Sequence, residues 1–287
     1  MSVLYFGDPA GALALLDLGV PLVGVVHGRR GGRGWRRLVP RVRHLPRWRL
    51  PDLAAPEVVA ALRRTSPRLL VAAFYPRLIP PAVLDLAPGI NVHPSDLPRW
   101  RGPDPCVWAI RAGDTETAIC VHWLTAALDE GDVLYRERVT IGPRQSAGRL
   151  AERLEALGAA RVAEVATMLL AGTPLVAQPQ EGGVTWAPLI DPDDWEIDWN
   201  QTAGEVSHWV RAASPDPGAY TGLGDELLVV YAGAPVPAGS FDALDPGTPY
   251  VRDGRIHVRC GSGAFRLDRV RLGRRHLTGR ALARLVV

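Results

Sequence analysis

The sequence contains no lysine, and all 33 of its basic residues are arginine. In a chain rich in alanine, glycine and proline, this uniformity indicates compositional bias rather than selection of the guanidinium group at single positions. Cysteine is also scarce: Cys106, Cys120 and Cys260 lie far apart and show no C-x-x-C spacing. The sequence therefore argues against a disulfide framework and against a zinc site.

Long hydrophobic runs are missing as well, since no apolar stretch approaches the roughly 20 residues that a membrane-spanning helix needs. The N-terminal stretch MSVLYFGDPAGALALLDLG has no basic region and contains Asp8 and Asp17, unlike a signal peptide. We therefore expect a cytoplasmic protein. The 287 residues, 47% of them hydrophobic and 22% charged, suit a globular protein of one large or two medium domains.

Up to about residue 140, short apolar segments alternate with segments of helical spacing. This alternation predicts a mostly parallel α/β sheet. A long amphipathic helix is predicted over residues 146–171, and from residue 218 short strand candidates separated by glycine-containing turns predict a small antiparallel β domain, barrel-like if closed. The predicted organisation is an α/β domain over 1–172, a linker over 173–205 and a β domain over 206–287.

Three polar stretches follow predicted strands: GDPAG at 7–11, NVHPSDLP at 91–98 and TAALDEGD at 125–132. Ligands of open α/β sheets bind outside the carboxyl ends of the strands, so we expect these loops to converge. Asn91 and His93 share one strand face because side chains alternate with period two.

Asn91, His93 and Asp129 supply three complementary chemical groups. An amide can donate to a developing oxyanion, an imidazole can move a proton near neutral pH, and a carboxylate can orient that imidazole. From the residues alone, a turn-forming role for the Asn-x-His stretch stays open. His122, inside the segment CVHWL, is interpreted as a satisfied strand residue.

The segments GINVHPSDLPRWRG and AIRAGDTETAICVHWLTAALDEGDVL resemble the folate-dependent formyltransferases. The signature of that family runs N-[IVL]-H-x-S-L-L-P-x-x-x-G, then G-[DE]-x-[ED]-[TH]-G-x-[TS], then L-D-x-G. The likeness covers most of residues 1–172 and continues into IDWNQTAGEVSHWVRAASPDPGAYT and DGRIHVRCGSGAFRLDRV. It implies a Rossmann-like formyltransferase domain followed by an OB-like barrel, with 10-formyltetrahydrofolate as donor, a primary amine as acceptor and no metal.

The resemblance also implies roles for individual residues. The family's catalytic Asn, His and Asp match Asn91, His93 and Asp129. By similarity, the pterin pocket of the donor is lined, largely through main-chain groups, by Arg77, Leu78, Ile79, Leu124, Thr125, Ala126 and Ala127.

The acceptor is where the sequence departs from the family pattern. S-L-L-P is replaced by S-D-L-P, which introduces Asp96, and Asp104 adds a second negative charge nearby. These charges favour a small cationic amine, such as an amino-sugar nucleotide or an amino acid derivative. A plain turn- or helix-capping role for Asp96 is the alternative.

The segment 29–49 favours a different acceptor, because it contains nine arginines and two tryptophans. Such a loop can bind phosphates and stack on bases, and in the methionyl-tRNA enzyme a loop at the same place contacts tRNA. A solvated surface loop is the simpler interpretation. Methionyl-tRNA is thus the alternative acceptor, and a non-catalytic folate- or RNA-binding paralogue or a formate-releasing hydrolase are further alternatives.

Overall fold

The structure is a computed structural model that describes residues 2–28, 34–224 and 226–286. The chain divides into two compact units, and residues 173–187 of the predicted linker belong to the first of them. The predicted limits at residues 172 and 205 stay predictions. The first unit consists of Met1–Pro105, Glu116–Thr140 and Ala151–Ala187, and the second of Cys106–Thr115, Ile141–Leu150 and Pro188–Val287.

The first unit contains a seven-stranded sheet. Its strands are β1 (Val3–Gly7), β2 (Leu22–His27), β3 (Arg47–Arg49), β4 (Leu69–Ala73), β5 (Gly89–His93), β6 (Glu116–Trp123) and β7 (Val133–Thr140).

The strand order is β3-β2-β1-β4-β5-β6-β7. The first five strands are parallel, whereas β6 runs antiparallel to β5 and β7 antiparallel to β6. Every residue of β1 and of β4 is buried, as expected for parallel strands whose two faces are both covered. The prediction of a mostly parallel, Rossmann-like α/β sheet is confirmed.

Among the described residues, six α-helices lie between these strands along the chain or follow the last of them. The predicted helix over 146–171 is confirmed, and Asp8 in the stretch GDPAG caps the first helix by accepting hydrogen bonds from the amides of Ala10 and Gly11. No helix of the described residues is long and apolar enough to cross a membrane. The helices are α1 (Pro9–Asp17), α2 (Trp35–Val42), α3 (Pro56–Arg63), α4 (Pro81–Leu84), α5 (Pro105–Arg111) and α6 (Ala147–Leu170).

The arginine-rich segment 29–49 is not a plain loop, and that prediction was wrong for most of its length. Residues 29–33 lie outside the described residues, but α2 and β3 occupy much of the remainder. Leu38 and Val42, one helical turn apart, are fully buried on the inner face of α2. The dense arginines masked this short apolar stripe in the sequence.

The second unit contains a six-stranded antiparallel sheet in which β10, β11, β12, β9 and β8 follow one another and β13 pairs with β12. The predicted antiparallel β domain is confirmed, whereas the short strands β10 and β13 and the last helix were not predicted. Closure of this sheet into an OB-like barrel stays a prediction. The elements are α7 (Ala203–Ala212), β8 (Ala219–Leu223), β9 (Glu226–Val236), β10 (Pro249–Arg252), β11 (Arg255–Arg259), β12 (Ala264–Leu272), β13 (Arg275–Thr278) and α8 (Gly279–Val286).

Candidate active site

The pairing of β5 with β6 creates one polar patch on the sheet of the first unit. In this antiparallel register Asn91 lies opposite His122, and His93 lies opposite Cys120. Directly opposed residues present their side chains on the same face, so Asn91, His93 and His122 share one face. The interpretation of His122 as a satisfied strand residue is confirmed, and its ring in addition contacts Asn91.

Asp129 lies at this patch although the strand before it, β6, is antiparallel to β5. The expectation that the loops converge assumed parallel strands whose carboxyl ends meet at one edge of the sheet. Because β6 is antiparallel, its carboxyl end lies beside the beginning of β5, where the Leu124 amide donates to the Gly89 carbonyl at 2.7 Å. The loop between β6 and β7 then returns to the patch. Gly131 is required in this loop, since a Cβ there would lie 1.8 Å from the Trp123 carbonyl oxygen.

The Asp129 carboxylate lies between two histidines and an amide. Its Oδ1 atom is 3.4 Å from Asn91 Nδ2 and 3.5 Å from His122 Nε2. Its Oδ2 atom is 3.5 Å from His93 Nδ1 and accepts a hydrogen bond from the Gly102 amide at 3.0 Å. The side chain is buried, and its backbone has a left-handed φ of 54°, which is uncommon for a residue other than glycine.

The hydrogen bonds of His122 define where its proton lies. Its Nδ1 atom is 2.9 Å from the Trp123 carbonyl oxygen and must donate there, because a carbonyl only accepts. In the neutral ring Nε2 is then an acceptor, and Asn91 Nδ2 donates to it at 3.1 Å. The amide of Asn91 is thereby oriented with its NH₂ group toward His122 and Asp129.

The two ring nitrogens of His93 also have different environments. Nε2 lies 2.8 Å from the Trp100 carbonyl oxygen and therefore carries the proton of the neutral ring. A second proton on His93 must enter at Nδ1, directly facing the Asp129 carboxylate. His93 and Asp129 can thus hold one proton between them.

Burial and charge act in opposite directions on this pair. Burial lowers the pKa of His93, and the Asp129 carboxylate and the Trp100 carbonyl offset part of that decrease. For Asp129, burial acts to raise the pKa, but positive charge on His93 and the hydrogen bond from the Gly102 amide outweigh it and lower the pKa to about 2. The carboxylate is therefore ionised at neutral pH, beside an imidazole whose burial favours the neutral form.

Asn91, His93 and Asp129 together can stabilise an oxyanion and move a proton. An oriented amide can donate to an oxyanion, and a neutral imidazole beside a fixed carboxylate can accept a proton and have the resulting charge balanced. Among residues 2–28, 34–224 and 226–286, no group of three or more His, Cys, Asp or Glu side chains could hold a metal ion.

The residues predicted to line a donor pocket lie in two segments of the first unit. Ile79 and Leu124 pack against the same buried apolar cluster, so the two segments approach each other. Leu78 is 67% exposed, and residues 125–127 are exposed, with the Thr125 hydroxyl donating to the Ala127 carbonyl. Arg77 Nη1 donates to the Leu50 carbonyl at 3.3 Å.

The two acidic residues that distinguish this chain have different environments. Asp96 forms an ion pair with Arg136 and lies 3.9 Å from Arg138 Nε, so its charge is already offset. Asp104 is partly buried, and that burial raises the pKa of its carboxyl group.

Two contacts around the site could not be predicted, although Gly102 is the last residue of the segment GINVHPSDLPRWRG that resembles the family signature. Gly102 supplies its amide to Asp129, and Gln180 contacts the loop that carries Asp129. Gln180 comes from a proline- and glycine-rich stretch that was interpreted as linker, and no pattern in that stretch marks it as part of a site.

Comparison with known proteins places the chain in a family. Residues 36–166 match the family model described as formyl transferase, and residues 189–285 match the model described as formyl transferase, C-terminal domain. The methionyl-tRNA formyltransferase of Symbiobacterium thermophilum is 37% identical over 92% of this chain and 86% of its own. That of Xanthomonas campestris pv. campestris is 38% identical over 93% of this chain and 91% of its own.

Solved structures resemble the chain in fold at much lower identity. HypX from Aquifex aeolicus in complex with tetrahydrofolic acid superposes with a TM-score of 0.63 at 17% identity, over 99% of this chain and 46% of its own. The N-formyltransferase from Helicobacter canadensis, in complex with folinic acid and dTDP-3-aminofucose, gives a TM-score of 0.68 at 11% identity, over 92% of this chain and 97% of its own.

Proposed function

The chain belongs to the folate-dependent formyltransferase family, and from that premise we propose that it transfers the formyl group of 10-formyltetrahydrofolate to the amino group of methionyl-tRNA. The observation that carries the choice of acceptor is the extent of the likeness. Relatives named methionyl-tRNA formyltransferase align over 92–97% of this chain at 32–38% identity. The sugar N-formyltransferase structures are at most 23% identical and support the fold alone.

The sequence favoured a small cationic amine because of Asp96 and Asp104, but the ion pair of Asp96 with Arg136 makes Asp96 less able to attract a cation. The Asp96 carboxylate is paired with Arg136, whose Nη2 also donates to the Leu97 carbonyl at 2.8 Å. A carboxylate that is neutralised within the protein attracts a cationic ligand far less than a free one. The methionyl-tRNA alternative therefore replaces the small amine as the preferred acceptor.

The reaction that we propose begins with a neutral amine. Its lone pair forms a bond to the formyl carbon, and the carbonyl π electrons move to oxygen, which gives a tetrahedral oxyanion. The Asn91 amide stabilises this oxyanion by donating one N–H to it. This is the N–H that donates to Asp129 in the free protein, at 3.4 Å, the longer of the two contacts of the amide. Its shorter contact with His122, at 3.1 Å, keeps the amide in orientation.

Collapse of the intermediate breaks the bond between the formyl carbon and N10 of the folate. The attacking nitrogen loses one proton and N10 gains one, so the products are the N-formyl amine and tetrahydrofolate. His93 accepts the proton at Nδ1, where Asp129 Oδ2 at 3.5 Å balances the charge, and the pair then returns it to the leaving nitrogen. The resulting imidazolium also lies close to the oxyanion and stabilises it.

The donor is proposed to bind between the segments 77–79 and 124–127. The exposed Leu78 side chain offers an apolar surface to a flat pterin ring. The main chain of the exposed residues 125–127 offers hydrogen-bonding partners for its edge. The packing of Ile79 and Leu124 on one apolar cluster fixes the two segments with respect to each other.

The test is a formyl-transfer assay with 10-formyltetrahydrofolate and a panel of acceptors. Methionyl-tRNA should give the highest kcat/KM, and its KM should rise with salt because phosphate contacts are screened and counterions rebind. Amino-sugar nucleotides and free methionine should give little product. Faster turnover of an amino-sugar nucleotide would restore the small-amine acceptor, and formate release without an acceptor would indicate a hydrolase.

A further inference from the structure

A single segment after α6, residues 178–187, lies along the catalytic loops of the first unit. At one end, Gln178 exchanges two main-chain hydrogen bonds with Val133, at the start of β7. At the other end, the Arg101 amide donates to the Thr185 carbonyl at 3.0 Å, and the Ala187 amide donates to the Arg101 carbonyl at 2.7 Å. The segment thus joins the loop after β5 to the loop before β7.

The side chain of Gln180 extends from this segment to the backbone around Asp129. Its Nε2 atom donates to the carbonyl oxygens of both Asp129 and Gly131, each at 2.8 Å. Both hydrogens of the Gln180 amide therefore form hydrogen bonds to the backbone of residues 129–131.

The other end of the Gln180 carboxamide is fixed by Arg101. The Nε and Nη2 atoms of Arg101 both donate to Gln180 Oε1, at 3.1 and 2.8 Å. The third guanidinium nitrogen, Nη1, forms an ion pair with Glu130 at 3.1 Å. The Arg101 side chain is only 8% exposed, and its two hydrogen bonds to the same oxygen leave the amide of Gln180 a single orientation.

We infer that Gln180 is a positioning residue for the proposed formyl transfer, because it fixes the backbone of Asp129 and thereby the distance between the carboxylate and His93. The left-handed φ of 54° at Asp129 provides the physical reason, since such a conformation persists only where the surroundings hold it. The Gly102 amide holds the carboxylate end of the residue, and Gln180 holds the main-chain end.

The same segment also supports His93. The Thr185 hydroxyl accepts a hydrogen bond from the Trp100 amide at 2.8 Å, and the Trp100 carbonyl accepts one from His93 at 2.8 Å. Trp100 has a left-handed φ of 58° of its own. Gln180 and Thr185 lie five positions apart in this segment. The segment therefore contacts the backbone of Asp129 and also Trp100, the residue to which His93 donates.

The first experiment separates binding from turnover in two variants of Gln180. Gln180→Met removes the amide, and Gln180→Glu keeps the length and the contact with Arg101 but replaces the NH₂ donor by an oxygen. Both should lower kcat by about 10- to 100-fold, with KM values within about threefold of wild type, because misplacement by about 1 Å is costly in rate. The matched control is Gln178→Met in the same segment, where the side chain is exposed, and kcat should stay within about twofold.

The second experiment asks whether Gln180 acts through Asp129. In an Asp129→Asn background, Gln180→Met should cause little further loss of kcat, because residues that act as one unit are strongly non-additive. An equal loss in both backgrounds would overturn the inference, and so would an unchanged kcat in both Gln180 variants. Thermal unfolding of each variant excludes global destabilisation as the cause.

A third measurement, the pKa of His93, needs no acceptor. It therefore tests the role of Gln180 separately from the proposed function, on which the expected loss of kcat rests. In protein labelled at histidine Cε1, with the His93 signal assigned from its loss in His93→Gln, NMR titration reports the pKa of His93. Gln180→Met should lower that pKa in the same direction as Asp129→Asn, since Asp129 is the charge that raises it. A His93 pKa equal to that of wild type and of Gln178→Met would overturn the inference, whichever acceptor is used.

Discussion

The Oδ2 atom of Asp129 lies 3.5 Å from His93 Nδ1. In the neutral ring Nδ1 carries no proton, because the proton is on Nε2, which donates to the Trp100 carbonyl. The carboxylate is therefore placed where the second proton of the imidazole must enter. This relationship makes the charge of Asp129 the main electrostatic support for a protonated His93, which burial otherwise disfavours.

Replacing Asp129 by asparagine should change both the rate and its pH dependence. We expect Asp129→Asn to lower kcat by about 10²–10³, a loss comparable to that of a preorganised electrostatic group. Without the carboxylate, protonation of His93 becomes less favourable, so the acid limb of the kcat/KM profile should move to lower pH. Rate profiles from pH 5 to 9 check this.

The acceptor amine titrates in the same way with wild type and with Asp129→Asn. The difference between the two pH profiles therefore reports only groups of the enzyme. An acid limb at the same pH in both proteins would contradict the coupling of Asp129 to His93. Matching thermal unfolding midpoints would show that the variant remains folded.

The stability of the protein should also depend on pH through His93. Because the pKa of His93 in the folded protein lies below the ordinary value of 6.5, the unfolded chain binds the proton more readily. Stability contributed by the neutral ring is therefore present above pH 6.5 and is lost as the pH falls below it. The slope from this one group is at most about 1.4 kcal/mol per pH unit.

Urea unfolding at pH 8 and pH 5.5 tests this expectation when wild type is compared with His93→Gln. Burial also lowers the pKa of His208 and of His257, but both remain in the variant and cancel in the comparison. Wild type should lose more stability than His93→Gln on acidification. An identical loss in the two proteins would mean that burial does not lower the pKa of His93.

The amide of Asn91 can be tested against the only other asparagine of the chain. Asn91→Ala should lower kcat by about 10²–10³ with the fold intact, since it removes the proposed oxyanion donor. Asn200→Ala is the matched control, because Asn200 is an exposed residue of the second unit that donates to Asp198, and kcat should stay within about twofold. Equal effects of the two substitutions would rule out the role assigned to Asn91.

The ion pair of Asp96 with Arg136 discriminates between the two acceptors. If Asp96 only pairs with Arg136, Asp96→Asn should leave the KM for methionyl-tRNA unchanged and cost about 1 kcal/mol or less of unfolding free energy. A KM for a cationic amine that rises tenfold or more would instead show that Asp96 contacts the acceptor. Steady-state kinetics and urea unfolding of the same variant give both quantities.

The sequence predicted the fold where hydrophobic periodicity was strong. The buried strand Leu69–Ala73 and the long helix Ala147–Leu170 follow directly from their apolar patterns. The helix Trp35–Val42 did not, because only Leu38 and Val42 mark its buried face among many arginines. Edge strands of three or four residues, such as Arg47–Arg49, carry too few residues for a pattern.

The candidate site was predictable in part for a similar physical reason. Asn91 and His93 are two residues apart in one strand, so period two alone puts them on one face. His122 joins them only because β6 runs antiparallel to β5, a pairing that local patterns do not encode. Gln180 approaches Asp129 from a segment 51 residues away, and no local signal announces that contact.

The central claim, that His93 with Asn91 and Asp129 transfers a formyl group to methionyl-tRNA, is tested most directly by single-turnover formylation. Labelled 10-formyltetrahydrofolate is mixed with methionyl-tRNA and an excess of enzyme, and N-formylmethionyl-tRNA is followed by rapid quench. Wild type should form the product, and His93→Ala should form it about 10²–10³ times more slowly while folding normally. A near wild-type rate in His93→Ala, or no product with the wild-type enzyme, would contradict the account.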